Sequence, residues 1–330
     1  MISLLGIILG LVILVAGGAA LVYGASQAAT RLGISPMIVG LTVVSIGTSA
    51  PELIVNLTGA FRGETGLAFG NVVGSNIANI GLVLGLAAIV RPIALQGQAV
   101  LREVPLLLLV TTILTIIAMD DPIDHLPAMI SRSDSLVMLT LISIFVYFIV
   151  IDIVRTRQNG AFATQILASP IVVPDMHKRM SWKLVFLMLL GSGLLYVGAE
   201  IAVQNSVGLA SQLGVSTAVI GLLIVGVGTS APELVASVVA ATRGQSDLAL
   251  GNIVGSNIFN ILFVLPATGL IHVIEVPNGG VIDLVVSWLF AAALIPIFFH
   301  GQARLGRAWG GALLLAYCAY AGTRGFTAGG

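Results

Sequence analysis

Ten apolar stretches, each long enough to cross a bilayer, constrain the fold of this chain more than any other feature. A transmembrane helix needs about 20 mostly apolar residues. Stretches of this kind fall at residues 2–24, 36–61, 66–90, 101–119, 135–154, 182–206, 216–242, 247–271, 281–299 and 307–323. Charged residues make up only 8% of the 330 residues, against about 25% in a soluble domain. We therefore predict an all-α polytopic membrane protein with ten transmembrane helices.

The first stretch is open to a second interpretation, because an apolar N-terminus can be a signal peptide. Residues 2–24 lack the positively charged start that such peptides carry. We therefore interpret this stretch as a retained span.

Two motifs occur twice along the chain. Residues 40–53, GLTVVSIGTSAPEL, match residues 221–234, GLLIVGVGTSAPEL, at 10 of 14 positions. Residues 70–80, GNVVGSNIANI, match residues 251–261, GNIVGSNIFNI, at 9 of 11 positions. Both pairs are 181 residues apart. A single offset shared by two separate motifs indicates an internal duplication.

An odd number of spans in each half makes the second copy enter the membrane from the opposite face. We predict two inverted five-helix repeats, residues 1–154 with a motif region at 40–80 and residues 182–330 with a motif region at 221–261, joined by a linker at 155–181. Inverted repeats are typical of secondary transporters, whose binding site lies between the repeats near the middle of the membrane.

Basic residues test this topology. With ten spans, eleven of the fourteen Lys and Arg residues lie on the side of the linker, and only Arg62, Arg132 and Arg324 lie on the other side. Lys and Arg concentrate in cytoplasmic loops. We therefore predict that the linker is cytoplasmic and that both termini face outside.

Each copy of GTSAPEL places a carboxylate, Glu52 or Glu233, near the middle of a predicted span. A charge at that depth costs about 2.5–3.5 kcal/mol even on lenient scales, and such residues usually mark an ion path or a proton relay. A single buried acid can serve packing alone. Two acids at matching positions of inverted repeats meet on the pseudo-twofold axis, which favours a shared site.

Near each glutamate, a proline leaves a backbone carbonyl oxygen without its helical partner, and a threonine supplies a hydroxyl oxygen. Pro51 and Pro232 have no N–H for the carbonyl four residues earlier, and a non-helical carbonyl at membrane depth is tolerated where it is buried or lines a wet cavity. Thr48 precedes Glu52 by four residues, and Thr229 precedes Glu233 by four, so each pair shares one helix face.

The second motif adds further oxygen-bearing side chains at the same spacing. Ser75 and Asn79 are four residues apart, and so are Ser256 and Asn260. Glycines at three-residue separations in this motif are explained by close helix packing, but the polar residues are not. An all-oxygen set with two carboxylates suits a hard cation such as Ca²⁺ or Na⁺, with Mg²⁺ and Mn²⁺ also open.

Composition excludes other classes. Formal net charge is zero, so no acidic partner such as nucleic acid is indicated. Cys318 is the only cysteine, which excludes an intrachain disulfide and a cysteine metal cluster. The chain contains no His-Glu-x-x-His or Gly-x-Ser-x-Gly motif. We therefore predict a protein that is not an enzyme and has no cofactor.

The paired motifs GTSAPEL with GNVVGSNIANI, and GTSAPEL with GNIVGSNIFNI, resemble the two alpha-repeats of the calcium/cation antiporter superfamily, most closely its prokaryotic sodium/calcium exchanger branch. The resemblance implies alternating-access exchange of Na⁺ for Ca²⁺, with both ions bound as substrates. It also implies a prokaryotic inner (plasma) membrane, with the lipid bilayer as environment and no obligate protein partner.

The resemblance also implies the ion ligands. Calcium would bind Glu52, Glu233, Thr48 and Thr229. Sodium would add Ser75, Ser256 and the backbone carbonyls of Ser45 and Gly226, and the central position would use Asn79 and Asn260. Some relatives carry Asp in place of Asn260, and the asparagine here argues against potassium dependence.

Proton-coupled exchange of a divalent cation remains an alternative, with the two glutamates as proton carriers. The Thr- and Ser-rich faces favour sodium. An ion channel is a further alternative, which the repeats that are typical of alternating access disfavour.

Overall fold

The computed structural model describes residues 2–94, 98–119, 128–166, 181–212, 226–295 and 304–328. The described chain is almost entirely helical, as predicted. Its α-helices are α1 (Ile2–Leu32), α2 (Pro36–Val39), α3 (Ser45–Thr48), α4 (Ala50–Phe61), α5 (Thr65–Ala78), α6 (Gly85–Val90), α7 (Gln98–Ile117), α8 (Arg132–Ile166), α9 (Trp182–Gln212), α10 (Gly226–Thr229), α11 (Ala231–Thr242), α12 (Ser246–Phe259), α13 (Leu265–Ile271), α14 (Gly280–Ala292) and α15 (Arg307–Ala328).

Within the described residues, three π-helical turns lie between these helices, at Gly40–Val44, Asn79–Leu84 and Asn260–Val264. The first links α2 to α3, the second α5 to α6, and the third α12 to α13. In the first, the amide of Ser45 bonds the carbonyl of Gly40, and the Ser45 hydroxyl bonds the carbonyl of Leu41 at 2.7 Å. Such turns often mark functional sites.

Within the described residues, five helical segments are long and apolar enough to cross a membrane: 3–32, 65–90, 132–155, 182–209 and 246–271. A sixth is formed by Pro36–Thr48 and Ala50–Phe61, which meet at a bend of 46°. These six agree with predicted spans. The predicted total of ten stays a prediction. Residues 213–225 and 296–303 lie outside the described residues and cut the seventh and ninth spans. Helices α7 and α15, at the fourth and tenth predicted spans, are not among the segments that are long and apolar enough.

The linker predicted at 155–181 is partly described. Helix α8 continues through its first part to Ile166, whereas residues 167–180 lie outside the described residues. The predicted end of the fifth span at residue 154 is therefore not the end of the helix.

Two continuous segments, 65–90 and 246–271, form the centre of the molecule. Most of each segment is buried: the buried share of the apolar 18-residue stretch is 78% in 65–90 and 89% in 246–271. Large apolar side chains such as Phe69, Ile77 and Ile261 are fully buried there. Both segments carry the second repeated motif, so the repeats meet through their most similar sequences.

Helices α1 and α9 pack against each other along most of their lengths. A Cβ at Gly17 would lie 2.8 Å from the carbonyl oxygen of Gly191, and a Cβ at Gly10 would lie 2.8 Å from that of Gly198. Since the contacts run in opposite chain directions, the helices are antiparallel. Only 33% of the apolar 18-residue stretch of each helix is buried. The faces of α1 and α9 that do not contact each other are therefore largely on the surface of the protein.

Four two-residue strands pair the loops between spans. Ile93–Ala94 (β1) pairs antiparallel with Arg304–Leu305 (β4), and Met129–Ile130 (β2) pairs antiparallel with Ile274–Glu275 (β3). Each pairing joins a loop of the first half to a loop of the second half. It requires those two loops to lie on one side of the membrane, in agreement with ten spans.

We expect Gly17→Ala to destabilise the α1–α9 pair, because the new methyl group meets backbone atoms of α9 that cannot move aside. Overpacking of this kind costs about 1–3 kcal/mol, and the measurement is the melting temperature of the purified protein in detergent. Gly193→Ala is the matched control, since a Cβ at Gly193 meets nothing within 4 Å. Equal melting temperatures for the two variants would contradict the packing.

The strand pairing predicts which loop cysteines can be cross-linked in a Cys318→Ser background. Cysteines at Ala94 and Arg304, or at Met129 and Glu275, replace residues that face each other across antiparallel strands. We expect a disulfide on mild oxidation, seen as a shift on non-reducing gels, because facing Cα atoms lie within disulfide reach. Cysteines at Ala94 and Glu275 belong to different pairings, and a cross-link between them would contradict the loop arrangement.

Candidate cation site

Two equivalent helix breaks position the glutamates. Ser49 separates α3 from α4, and Ser230 separates α10 from α11, with nearly identical backbone angles of φ −88°, ψ 8° and φ −86°, ψ 6°. The breaks follow from Pro51 and Pro232, the second residues of the next helices, which have no N–H for the preceding turn. Glu52 and Glu233 thus lie in the first turn of α4 and α11, where free backbone N–H groups favour negative charge.

Both carboxylates are buried, with Glu52 0% and Glu233 1% exposed, and they lie near enough to each other to interact electrostatically. The ion pairs among the described residues join Arg102 to Glu103 and Asp152, and Arg324 to Asp283. Neither Glu52 nor Glu233 takes part in them. Two buried carboxyl groups therefore share one region of the described protein without a cationic side chain.

The two glutamates differ in their hydrogen bonds. The Ser49 hydroxyl donates to Glu233 Oε1 at 2.9 Å, and the hydroxyls of Thr48 and Ser256 lie near the same carboxylate. Among the described residues, neither oxygen of Glu52 has a hydrogen-bond partner. The equivalent positions of the two repeats thus hold one carboxylate with a hydrogen bond to one oxygen and one carboxylate without a hydrogen-bond partner among the described residues.

Further buried oxygens of the repeated motifs also lack a partner among the described residues. They are Ser75 Oγ, Asn79 Oδ1, Ser230 Oγ, Glu233 Oε2 and Asn260 Oδ1, in addition to both oxygens of Glu52. Buried polar atoms in proteins are nearly always paired, and a cluster of unpaired oxygens calls for a donor or a cation. Hard cations such as Na⁺ and Ca²⁺ bind oxygen ligands of these types.

Thr48 connects the two repeats beside Glu233. Its hydroxyl bonds Asn252 Oδ1 at 3.0 Å and the Ser45 carbonyl at 3.2 Å, and it lies 3.5 Å from Ser256 Oγ. Asn252 in turn donates to the Ser237 hydroxyl at 2.9 Å. These contacts hold α3 of the first repeat against α12 of the second.

The asparagines of the second motif form a reciprocal set of hydrogen bonds. Asn79 Nδ2 donates to Asn257 Oδ1 at 2.9 Å, and Asn260 Nδ2 donates to Asn76 Oδ1 at 3.2 Å. Asn76 Nδ2 donates to the Asn257 carbonyl at 3.3 Å, and Asn257 Nδ2 donates to the Asn76 carbonyl at 3.2 Å. Each bond has its equivalent in the other repeat.

Eight of the ten predicted site residues are buried: Ser45, Thr48, Glu52, Ser75, Glu233, Ser256, Asn79 and Asn260. The contacts above bring Thr48 together with Ser45, Ser256 and Glu233, whereas Asn79 and Asn260 bond asparagines of the opposite repeat. Gly226 and Thr229 are the ends of α10, directly before the break at Ser230. Within the described residues, no group of three His, Cys, Asp or Glu side chains could hold a metal. A cation here would therefore need hydroxyl, amide and carbonyl oxygens as well as the two carboxylates.

Sequence reasoning assigned no role to Ser49, Ser230, Asn76, Asn252 and Asn257. Their signal was present, because all five lie in the repeated motifs, but their spacing alone does not show which face of the helix they occupy. The partners of Ser49, Asn76 and Asn257 lie in the other repeat, about 180 residues away along the chain, and Asn252 accepts a hydrogen bond from Thr48 of the other repeat.

Two further acids lie apart from this site. Glu103 on α7 is buried and bonded to Arg102 at 2.5 Å, and sequence analysis gave no signal for it. Glu200 is exposed on α9 and accepts a hydrogen bond from Gln204 at 2.5 Å.

Comparison with known proteins identifies the family. The sequence model described as "Sodium/calcium exchanger protein" matches residues 2–151 and 183–325. The chain belongs to this family. As a member of an exchanger family, it is a transporter rather than an enzyme, and the resemblance in the paired motifs is confirmed.

Individual sodium/calcium exchangers and related membrane proteins are similar over nearly the whole chain. The sodium/calcium exchanger MaX1 of Methanosarcina acetivorans is 30% identical, with 96% of each chain covered. The inner membrane protein YrbG of Escherichia coli is 38% identical, with 80% of this chain and 78% of that protein covered. The structure of the sodium-calcium exchanger NCX_Mj soaked with 10 mM Na⁺ and zero Ca²⁺ superposes with a TM-score of 0.78 at 29% identity, covering 96% of this chain and 97% of that one.

The unequal surroundings of the two glutamates give a prediction for this exchanger in ion-free buffer. We expect Ser49→Ala to lower the melting temperature, because it removes a donor from a buried carboxylate, and such bonds contribute about 1.5–3 kcal/mol. Ser230→Ala is the matched control at the equivalent position, where the hydroxyl has no partner to lose. An equal decrease in melting temperature for both variants would contradict the difference in hydrogen bonding between Ser49 and Ser230.

Proposed function

We propose that this protein exchanges Na⁺ for Ca²⁺ across the membrane by alternating access. The observation that carries the proposal is the pair of buried carboxylates without a cationic side chain, set among unpartnered hydroxyl and amide oxygens. Membership of the sodium/calcium exchanger family supports antiport of cations including Ca²⁺. Sodium coupling is the finer part of the proposal.

Charge explains why exchange would be obligatory. Two carboxylates balance one Ca²⁺, whereas an empty site leaves two like charges buried close together, which is unfavourable. Crossing the membrane empty is therefore costly. Sodium ions, bound by the same carboxylates and by nearby hydroxyl and carbonyl oxygens, would remove that cost on the return step.

We propose that the cation ligands are those that the repeated motifs predict: Glu52, Glu233, Thr48, Thr229, Ser75, Ser256, Asn79, Asn260 and the carbonyls of Ser45 and Gly226. The burial of eight of these residues supports this assignment, and so does the number of their oxygens without a partner among the described residues. The transported ions are the substrates, and the mechanism needs no further cofactor.

We also propose the complete architecture as ten transmembrane helices in two inverted repeats, 1–154 and 182–330. The reciprocal asparagine bonds and the paired loops support it. With a cytoplasmic linker at 155–181, the termini face outside. The name of the E. coli relative favours an inner membrane. The lipid bilayer completes the environment, without an obligate protein partner.

The experiment that tests the coupling is ⁴⁵Ca²⁺ uptake into proteoliposomes loaded with sodium, with matched loads of choline or potassium and with the pH clamped. We expect uptake only with the sodium load, because sodium is proposed to drive the return of the carrier. Uptake that ignores sodium and follows an imposed pH gradient would instead indicate proton coupling, with the two glutamates as proton carriers.

In the same assay, we expect Glu52→Gln and Glu233→Gln each to abolish Ca²⁺ transport. The amide nearly preserves the shape of the side chain but removes one of the two charges that balance the cation. Glu200→Gln is the matched control, since Glu200 is exposed and apart from the site, and it should transport normally. Full transport by either of the buried-site variants would remove the proposed site, provided that each variant is folded and inserted.

A further inference from the structure

Asparagine is an ambiguous ligand for a cation, because its side chain carries an oxygen and an NH₂ group of nearly equal shape. The oxygen binds a cation, whereas the NH₂ group repels it. A site that uses Asn79 and Asn260 therefore needs something that decides which end of each amide faces the ion.

The amide of Asn79 is oriented by the other repeat. Its Nδ2 donates to Asn257 Oδ1 at 2.9 Å, which leaves Asn79 Oδ1 buried and without a hydrogen-bond partner among the described residues. The equivalent bond from Asn260 Nδ2 to Asn76 Oδ1, at 3.2 Å, leaves Asn260 Oδ1 in the same condition. In both cases the hydrogen-bonded end is the NH₂ group and the unpartnered end is the oxygen.

Asn76 and Asn257 can act as acceptors in this way because their own orientation is determined. Asn76 Nδ2 donates to the backbone carbonyl of Asn257, and Asn257 Nδ2 donates to that of Asn76. With its NH₂ group bound to the opposite backbone, each side chain must direct its oxygen towards the amide it orients. Both residues are nearly fully buried, so water does not compete.

We propose that Asn76 and Asn257 are positioning residues for cation binding. Each fixes the amide of the ligand asparagine in the opposite repeat so that its oxygen, and not its NH₂ group, faces the ion. This inference rests on the proposed function and deepens it. It adds two residues that touch no ion, and it makes each half of the site depend on the other repeat.

Asn257→Leu tests the proposal, because leucine has a similar size but accepts no hydrogen bond. Asn79 can then turn its NH₂ group towards the site. We expect the affinity for Ca²⁺, measured by calorimetric titration of the purified protein in sodium-free buffer, to fall on the order of tenfold, which is typical when a residue that orients a ligand is removed.

Testing Asn257→Leu again in a variant of Asn79 distinguishes a positioning role of Asn257 from a role in packing alone. In Asn79→Asp, both ends of the ligand side chain are oxygens, so orientation no longer matters. Adding Asn257→Leu to Asn79→Asp should therefore not lower the affinity. The matched control is Asn260→Asp, whose amide is oriented by Asn76. There Asn79 is unchanged, and adding Asn257→Leu should lower the affinity as it does in the wild type.

If Asn257 has only a structural role, Asn257→Leu should lower the affinity for Ca²⁺ in the wild type, in Asn79→Asp and in Asn260→Asp, because the bond from Asn257 to the Asn76 carbonyl is lost in all three backgrounds. That result would overturn the inference. If Asn257→Leu does not fold, Asn257→Asp replaces it, because aspartate still accepts from Asn79 Nδ2 and should not lower the affinity. A tenfold loss with Asn257→Asp would equally overturn the inference.

The wild-type protein distinguishes failure of the inference from failure of the proposed function. Wild-type protein that binds neither Ca²⁺ nor Na⁺ contradicts the proposed function, and the inference with it. Wild-type protein that binds Ca²⁺, together with an equal loss of affinity in all three backgrounds, contradicts the inference alone.

Discussion

The structure depends on the burial of two negative charges that no basic side chain of the described protein neutralises. Leaving a carboxylate unpaired in a low-dielectric interior is costly, and Glu52 and Glu233 lie close together there. Much of the surrounding architecture reduces that cost. The helix breaks at Ser49 and Ser230 place both carboxylates at helix N-termini, and hydroxyl groups from both repeats approach Glu233. What the protein leaves unsatisfied is a set of oxygens that a transported cation would satisfy.

The two motifs of each repeat contribute to this arrangement in different ways. The first motif supplies the charge and the break in the helix, whereas the second supplies amides on continuous, deeply buried helices. Bonds between the repeats then join them: Thr48 to Asn252, Ser49 to Glu233, and the reciprocal asparagines. Because few of these bonds form within one repeat, neither repeat can make the site alone. A duplicated chain in which both copies keep the same motifs is the expected result.

The outer part of the molecule has a different chemistry. Helices α1 and α9 meet through glycines, with backbone in contact with backbone, and their other faces are apolar and exposed. A contact made of small residues has few interlocking side chains. Helix α1 is also bonded to the second repeat, because Arg243 donates to the carbonyl of Ala19 and Gln245 donates to the hydroxyl of Ser26. The proposed alternating access would therefore have to break those two bonds if this helix pair moves along the rest.

Much of this could be derived from the sequence, for a physical reason. Hydrophobic length determines spans, and repetition at a constant offset reveals a duplication, so both are readable along one chain. Glu52 and Glu233 were identified because a charge within an apolar span is costly enough to need an explanation. Tertiary structure alone decided which oxygens are satisfied, that Ser49 bonds Glu233 rather than its own Glu52, and that Asn76 and Asn257 orient their neighbours. Those contacts join residues about 180 positions apart, and no local pattern specifies which face of a helix meets which partner.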